Sequence, residues 1–150
     1  MSKLPHTISG TSHIDKRGRL LFFNNFDMTS VKRFYLISSH KSLVTRHQSV
    51  RTWQGHKIEE KYFFVSQGAF CVGLVKIDDW QNPSEDLPVE QYRLDADSLK
   101  ILHIPAGYAN GIKVLRTNSQ MIVFSTLSLD ESKKDDHRFS PSLWLDWDKD

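Results

Sequence analysis

The chain has 150 residues, 39% of them hydrophobic and 25% charged, with a net charge of +2. That length can bury a core without disulfides or metal staples, and the apolar content excludes global disorder. Charges of both signs are interspersed without a Lys/Arg run, which argues against nucleic acid as a partner, and no apolar stretch approaches membrane-spanning length.

The N-terminal MSKLPHTISG lacks the apolar core of a signal peptide, so the expectation is a soluble, cytoplasmic chain forming one domain over residues 1–150. Short β-type runs then follow one another: RLLFFNNF from Arg19, KRFYLIS from Lys32, KYFFVSQ from Lys61 and AFCVGLVKI from Ala69. Val, Ile, Phe and Tyr dominate them and none holds a helical period. The lone cysteine, Cys71, lies inside the last of these runs and reads as a packed thiol. Asp78 to Glu90 carries two prolines and five acidic residues and reads as a surface loop. KILHI, GIKVL and QMIVFSTLS complete the strands, with Gly68, Gly107 and Gly111 at turns or bulges between runs. The charged tail ends in Trp144 and Trp147, which implies that it docks, on its own body or on a second subunit. Many short strands with almost no helix predict an all-β sandwich or barrel.

The stretch VRTWQGHKIEEKYFFVSQG, Val50 to Gly68, decides what kind of barrel. Gln54 and His56 stand two apart, Lys61 follows five later, and Gly68 seven after that; downstream, PAGYAN places Asn110 three residues after Gly107. These are the spacings at which cupins hold two histidines, a glutamate, a glycine and a third histidine around a metal. Alternate strand residues share a face, so Gln54 and His56 point inward together. The chain therefore resembles the cupin superfamily in register, which implies a double-stranded β-helix, the cupin jelly roll. Three of the four ligand positions are exchanged, since Gln54, Lys61 and Asn110 replace imidazole and carboxylate. A charged lysine repels a divalent cation, so no metal is expected. A lysine aimed into a barrel without a carboxylate calls instead for an anion or a polarised carbonyl oxygen.

Further motifs resemble the metal-free cupins that act on dTDP-4-keto-6-deoxy sugars, the dTDP-4-dehydrorhamnose 3,5-epimerases and the dTDP-4-keto-6-deoxyglucose 3,4-ketoisomerases. DKRG, Asp15 to Gly18, matches an early D-x-R-G element; VKRFYLI looks like the ketoisomerase strand with a functional tyrosine, here Tyr35. RTWQGHK is similar to R-G-x-H-x-H-K of the ketoisomerases, with His56 on the second histidine. Against the epimerase R-G-x-H-x-Q, Gln54 falls on the catalytic histidine and Lys61 on the following lysine. LHIPAGYANGIKVL is similar to the epimerase I-P-x-G-F-A-H-G-F, and in SPSLWLDW, Ser140 stands where that family keeps the aspartate orienting its base. The epimerase acid tyrosine has no counterpart after MIVFSTLS.

What the resemblance implies is a cofactor-independent epimerase or isomerase of a dTDP-linked sugar, in deoxysugar and cell-surface polysaccharide biosynthesis. Its shared first step removes a proton beside a ketone, which needs a base near neutrality, a donor for the oxyanion and an acid. His56 is the base of choice, Lys61 or Asn110 the oxyanion donor and Tyr35 the acid. Arg51 and Arg17 match the diphosphate anchors, beside Gln54 in the substrate pocket. His103 is expected as a packing residue. A homodimer is implied as well, with HTISGTSHID and the Trp-bearing tail as its contacts. Two alternatives stay open: a non-catalytic cupin that binds a nucleotide sugar or other carbohydrate, and a metal-dependent enzyme, which Lys61 and the two amides disfavour.

Overall fold

The computed structural model describes residues 3–39 and 50–149, and His40 and His47 lie outside them. Twelve strands and one short helix follow in chain order among the described residues. They are β1 (His6–Ser9), β2 (Thr11–Asp15), β3 (Gly18–Phe22), β4 (Arg33–Ser38), β5 (Val50–His56), β6 (Lys61–Gln67), β7 (Ala69–Lys76), β8 (Glu90–Asp95), β9 (Lys100–Ile104), β10 (Tyr108–Val114), β11 (Gln120–Ser125), α1 (Leu129–Lys133) and β12 (His137–Arg138). Two five-stranded antiparallel sheets form, ordered β1-β9-β6-β11-β4 and β12-β5-β10-β7-β8. Both orders interleave early and late strands, as a jelly roll requires. The expected all-β double-stranded helix is the fold observed.

Alternation sets the inner faces. Lys61, Phe63 and Val65 of β6 are buried in turn with half-buried Tyr62 and Phe64, and Met121, Val123 and Ser125 alternate the same way along β11. These side chains meet Phe70, Val72, Leu74, Tyr108 and Ile112 from the second sheet in one apolar core. At one end the lining turns polar: Arg33, Lys61 and Ser125 open or close their strands there.

β5 carries a bulge that matters to the site. Asn110 pairs with Gln54 while Ile112 pairs with Arg51, so β5 holds one residue more than β10 between these points. Thr52 and Trp53 both crowd the outer side of Gly111, where an added Cβ would lie 2.6 Å from Thr52 Cγ2 and 3.1 Å from Trp53 Cε3. Arg51 thus returns to the side of core residue Ile112, the side of Gln54 and His56.

The outer face of the second sheet is covered by the C-terminal tail. Trp53 packs on Trp144 and Trp147, with ring centroids 5.3 and 5.5 Å apart, and donates its indole N–H to the Leu143 carbonyl at 2.9 Å. The tryptophans of the tail therefore dock on their own barrel. The loop after β7 folds over the same outer face, since an added Cβ at Gly55 would meet Trp80 at 2.8 Å. The hairpin β2–β3 stands apart from both five-stranded sheets. His103 is buried on the outside of the first sheet, stacked on Tyr62 at 4.6 Å, as a packing residue. Among the described residues no helix is long and apolar enough to cross a membrane.

Candidate active site

The end of β5 and the start of β6 are joined by the tight turn Lys57–Glu60, so His56 and Lys61 face each other across it. Both are almost fully buried, at 3% exposure each. The Lys61 ammonium donates to Gln54 Oε1 at 3.1 Å, and the Gln54 amide nitrogen donates to Asp136 Oδ1 at 3.0 Å. Asn110, opposite Gln54 in the ladder, donates its amide to the Gln54 main-chain carbonyl at 3.2 Å. The structure thus brings together four of the residues read from the sequence: Gln54, His56, Lys61 and Asn110.

Lys61 does not stand without a carboxylate, contrary to the expectation. Glu59, 1% exposed, places Oε2 at 3.5 Å from Lys61 Nζ and 3.2 Å from His56 Nε2. Its Oε1 accepts from Ser125 Oγ at 2.8 Å and from the Arg33 guanidinium at 3.3 Å. Arg33 in turn donates to Ser132 Oγ and the Leu127 carbonyl, which ties β4 to α1. The ammonium therefore finds its counter-charge within the protein. Glu59, in the turn between β5 and β6, is a member of this cluster that the motif spacing does not mark.

The two ring nitrogens of His56 are held unequally. Nδ1 lies 2.8 Å from the Asp135 main-chain oxygen, and a carbonyl can only accept, so Nδ1 carries the proton. Nε2 then bears the lone pair. It approaches Glu59 Oε2 to 3.2 Å but without hydrogen-bond alignment, and neither of these buried atoms has a hydrogen-bond partner among the described residues. Burial and the Lys61 charge push His56 below the ordinary 6.5, against the opposing pull of Glu59 and Asp135. Burial pushes the Glu59 carboxyl up, but its charged and hydrogen-bonding neighbours, the Lys61 ammonium foremost, outweigh it and hold the group below the ordinary carboxylate range. The result is a neutral imidazole beside an ionised carboxylate, which can accept a proton and have the resulting charge compensated.

Tyr35 lies on β4 in the inner-facing set with Arg33 and Ile37 and is half-buried. The Lys61 ammonium sits 5.9 Å from its ring centroid and the Arg33 guanidinium 5.1 Å. It therefore borders the polar cluster from the sheet of Lys61, opposite the sheet that carries Gln54, His56 and Asn110. Arg51 is exposed, on the barrel side of β5 by virtue of the bulge. Arg17 is placed elsewhere, at the tip of the β2–β3 hairpin, paired with Asp15 at 2.6 Å. Ser140 is exposed and exchanges a hydrogen bond with Ser142 at 2.9 Å. The position expected for an orienting aspartate thus does not reach His56. Among the described residues no group of three or more His, Cys, Asp or Glu side chains is arranged to hold a metal ion.

No family model matches the sequence, and no curated protein matches it. Solved structures do match in three dimensions. A dTDP sugar isomerase from Desulfovibrio desulfuricans G20 superposes with a TM-score of 0.74 at 14% identity, over 98% of this chain and 92% of that one. The RmlC epimerase of Mycobacterium tuberculosis gives 0.72 at 19% identity, over 95% and 74% of the two chains. The 3,4-ketoisomerase QdtA from Thermoanaerobacterium thermosaccharolyticum, solved as a mutant in complex with TDP-4-keto-6-deoxyglucose, gives 0.65 at 19% identity, over 90% and 87%. At these identities the likeness establishes the fold alone: the chain is an all-β jelly roll of the shape that these epimerase, isomerase and ketoisomerase structures share.

Proposed function

We propose that the protein is a metal-independent epimerase or keto-isomerase of a dTDP-linked 4-keto-6-deoxyhexose, in deoxysugar and cell-surface polysaccharide biosynthesis. The observation that carries the reading is His56 itself. It is a buried, neutral imidazole inside a barrel whose structural neighbours work on dTDP sugars, and its basic nitrogen makes no hydrogen bond among the described residues.

In the reaction, His56 Nε2 takes the proton from the carbon beside the ketone, and the C–H electrons move to the carbonyl oxygen as an enediolate. The imidazolium formed is compensated by Glu59 at 3.2 Å. Lys61, with one ammonium N–H engaged by Gln54, offers a further donor to the enediolate oxygen, and Asn110 flanks it as a neutral one. Tyr35, on the sheet opposite His56, returns a proton to the second face for epimerisation. Keto-isomerisation instead redelivers the proton to the neighbouring carbon, C4, while the hydroxyl proton passes from O3 to O4, so that the ketone moves to C3. Arg51 receives the diphosphate, for which a guanidinium fork is suited. Arg17 contributes to the same anchoring from the hairpin of a second subunit, in the homodimer that this reading entails. A nucleotide-linked substrate places the reaction in the cytoplasm. Metal plays no part here, because the Lys61 ammonium occupies the position at which a metal-binding cupin offers a carboxylate.

The test is incubation with dTDP-4-keto-6-deoxyglucose in deuterated water, followed by NMR of the recovered sugar. Deuterium at C3 or C5 is the expected result. Saturable binding of the sugar nucleotide without incorporation would make the protein a non-catalytic carbohydrate-binding cupin.

A further inference from the structure

Ser140 does not orient His56, yet an aspartate does so from five residues earlier in the chain. Asp135 follows α1, whose Ser128–Glu131 capping box fixes its start, and its own N–H closes onto the Ser132 carbonyl at 3.0 Å. From there the residue works at two points. Its main-chain oxygen takes the His56 Nδ1–H at 2.8 Å. Its carboxylate takes three successive backbone N–H groups, those of Lys57 at 2.9 Å and of Ile58 and Glu59 at 2.8 Å each. Three converging amides make an anion-accepting concavity. They hold the Asp135 carboxyl below its ordinary range although burial pushes it up.

We infer that Asp135 is the positioning residue of His56: its carbonyl fixes the Nδ1–H tautomer, and its carboxylate anchors the turn that brings Glu59 against Nε2. This rests on the assignment of His56 as the base. The chemistry follows from connectivity. His56 ends β5, Lys61 begins β6, and the turn between them has its amides gathered on one carboxylate. If that carboxylate loses its charge, the turn loosens and Glu59 shifts relative to the imidazole. Among the described residues the charged and titratable groups around His56 are Glu59 and Lys61 from the turn and β6, Arg33 of β4 behind Glu59, and Asp135 and Asp136 from the segment after α1. His137 adjoins Asp135, at 3.4 Å from Oδ1.

The arrangement is tested on the full chain labelled with 15N-histidine. In the wild-type protein above pH 7.5, the His56 resonances should show a protonated Nδ1 and an unprotonated Nε2; the reverse tautomer overturns the inference, with or without a foldable variant. In Asp135→Asn the main-chain carbonyl remains, so the Nδ1–H tautomer should persist. The imidazole titration midpoint and the pH profile of turnover should move, as the turn loosens and Glu59 shifts. Turnover should fall roughly 10- to 100-fold in kcat with KM little changed, the usual loss when an outer hydrogen-bond partner is removed. A folded Asp135→Asn with the wild-type imidazole titration midpoint and the wild-type pH profile overturns it equally. A wild-type protein that shows the Nδ1–H tautomer but turns over no keto sugar counts against the proposed reaction and leaves the positioning role standing.

Discussion

Glu59 and Lys61 form a buried ion pair, Oε2 to Nζ 3.5 Å, with the two side chains 0% and 4% exposed. Burying two charges is costly, and such pairs rarely add net stability, but removing one partner leaves the other uncompensated. Here Glu59 also answers Arg33 and His56. Glu59→Gln should therefore destabilise the fold by about 3 to 5 kcal/mol in urea unfolding. Adding Lys61→Met to that variant should restore part of the loss, since the stranded cation is gone. Equal stabilities of wild type and Glu59→Gln would mean that the pair is solvated in solution.

Stability should depend on pH in a fixed direction. His56 and His103 are both held below the ordinary 6.5, burial being the largest cause for each. As pH falls through 6.5 the unfolded chain takes up these protons first and the folded chain does not, so stability declines. Glu59 and Asp135, held below 4.5 and 3.8, extend the decline through the carboxylate range. Thermal melts should show a Tm that is level from pH 8 to 7 and falls steadily below 6.5. A Tm that rises between pH 6.5 and 5 would reverse the sign.

Gly68 occupies the motif position for structural reasons. It joins β6 to β7 with φ +74°, and a Cβ there would lie 2.8 Å from the Ser119 backbone. Ser119 is itself fully buried, with its hydroxyl accepting from the Ala69 N–H at 3.0 Å. Gly68→Ala combines a left-handed backbone with an overpacked contact and should cost about 2 to 4 kcal/mol. Chemical denaturation measures it, and a loss under about 1 kcal/mol would show that the turn relaxes freely.

Arg51→Ala separates binding from chemistry. Loss of a charge-assisted contact to the diphosphate should raise KM for the dTDP sugar about 10- to 100-fold and leave kcat nearly unchanged. The same substitution made at Thr52, which the bulge turns outward, should leave KM as it is. A comparable effect at both positions would contradict the side on which the bulge places Arg51.

Period-2 alternation made β4, β6, β7, β9, β10 and β11 legible, because their inner faces are apolar and their lengths are bounded by turn residues. β1, β2 and β8 are not marked in the same way: HTIS and TSHID are largely exposed and offer no alternation of polarity, and in EQYRLD the alternation is limited to Tyr92 and Leu94 at the end of a long polar loop. RLLFFNNF was read as a strand through Phe26, but it ends at Phe22, where Asn24 and Asn25 favour a turn. At the site, spacing located Gln54, His56, Lys61 and Asn110, since ladder register is a local property. Asp135 was not legible. Its grip on His56 runs through a main-chain carbonyl, which any residue supplies, and depends on how α1 returns the chain to the end of β5. Glu59 was hidden differently, because the motif frame directed attention to the Lys61 position two residues on.

The claim that His56 removes a proton beside a ketone is tested most directly by the rate of deuterium wash-in. dTDP-4-keto-6-deoxyglucose would be followed by NMR in deuterated water with the wild-type protein and with His56→Asn, both checked for folding. Wash-in at C3 or C5 should be rapid with the wild type and slower by about 10²- to 10⁴-fold with the variant. Equal rates for the two proteins would contradict the assignment of His56 as the base.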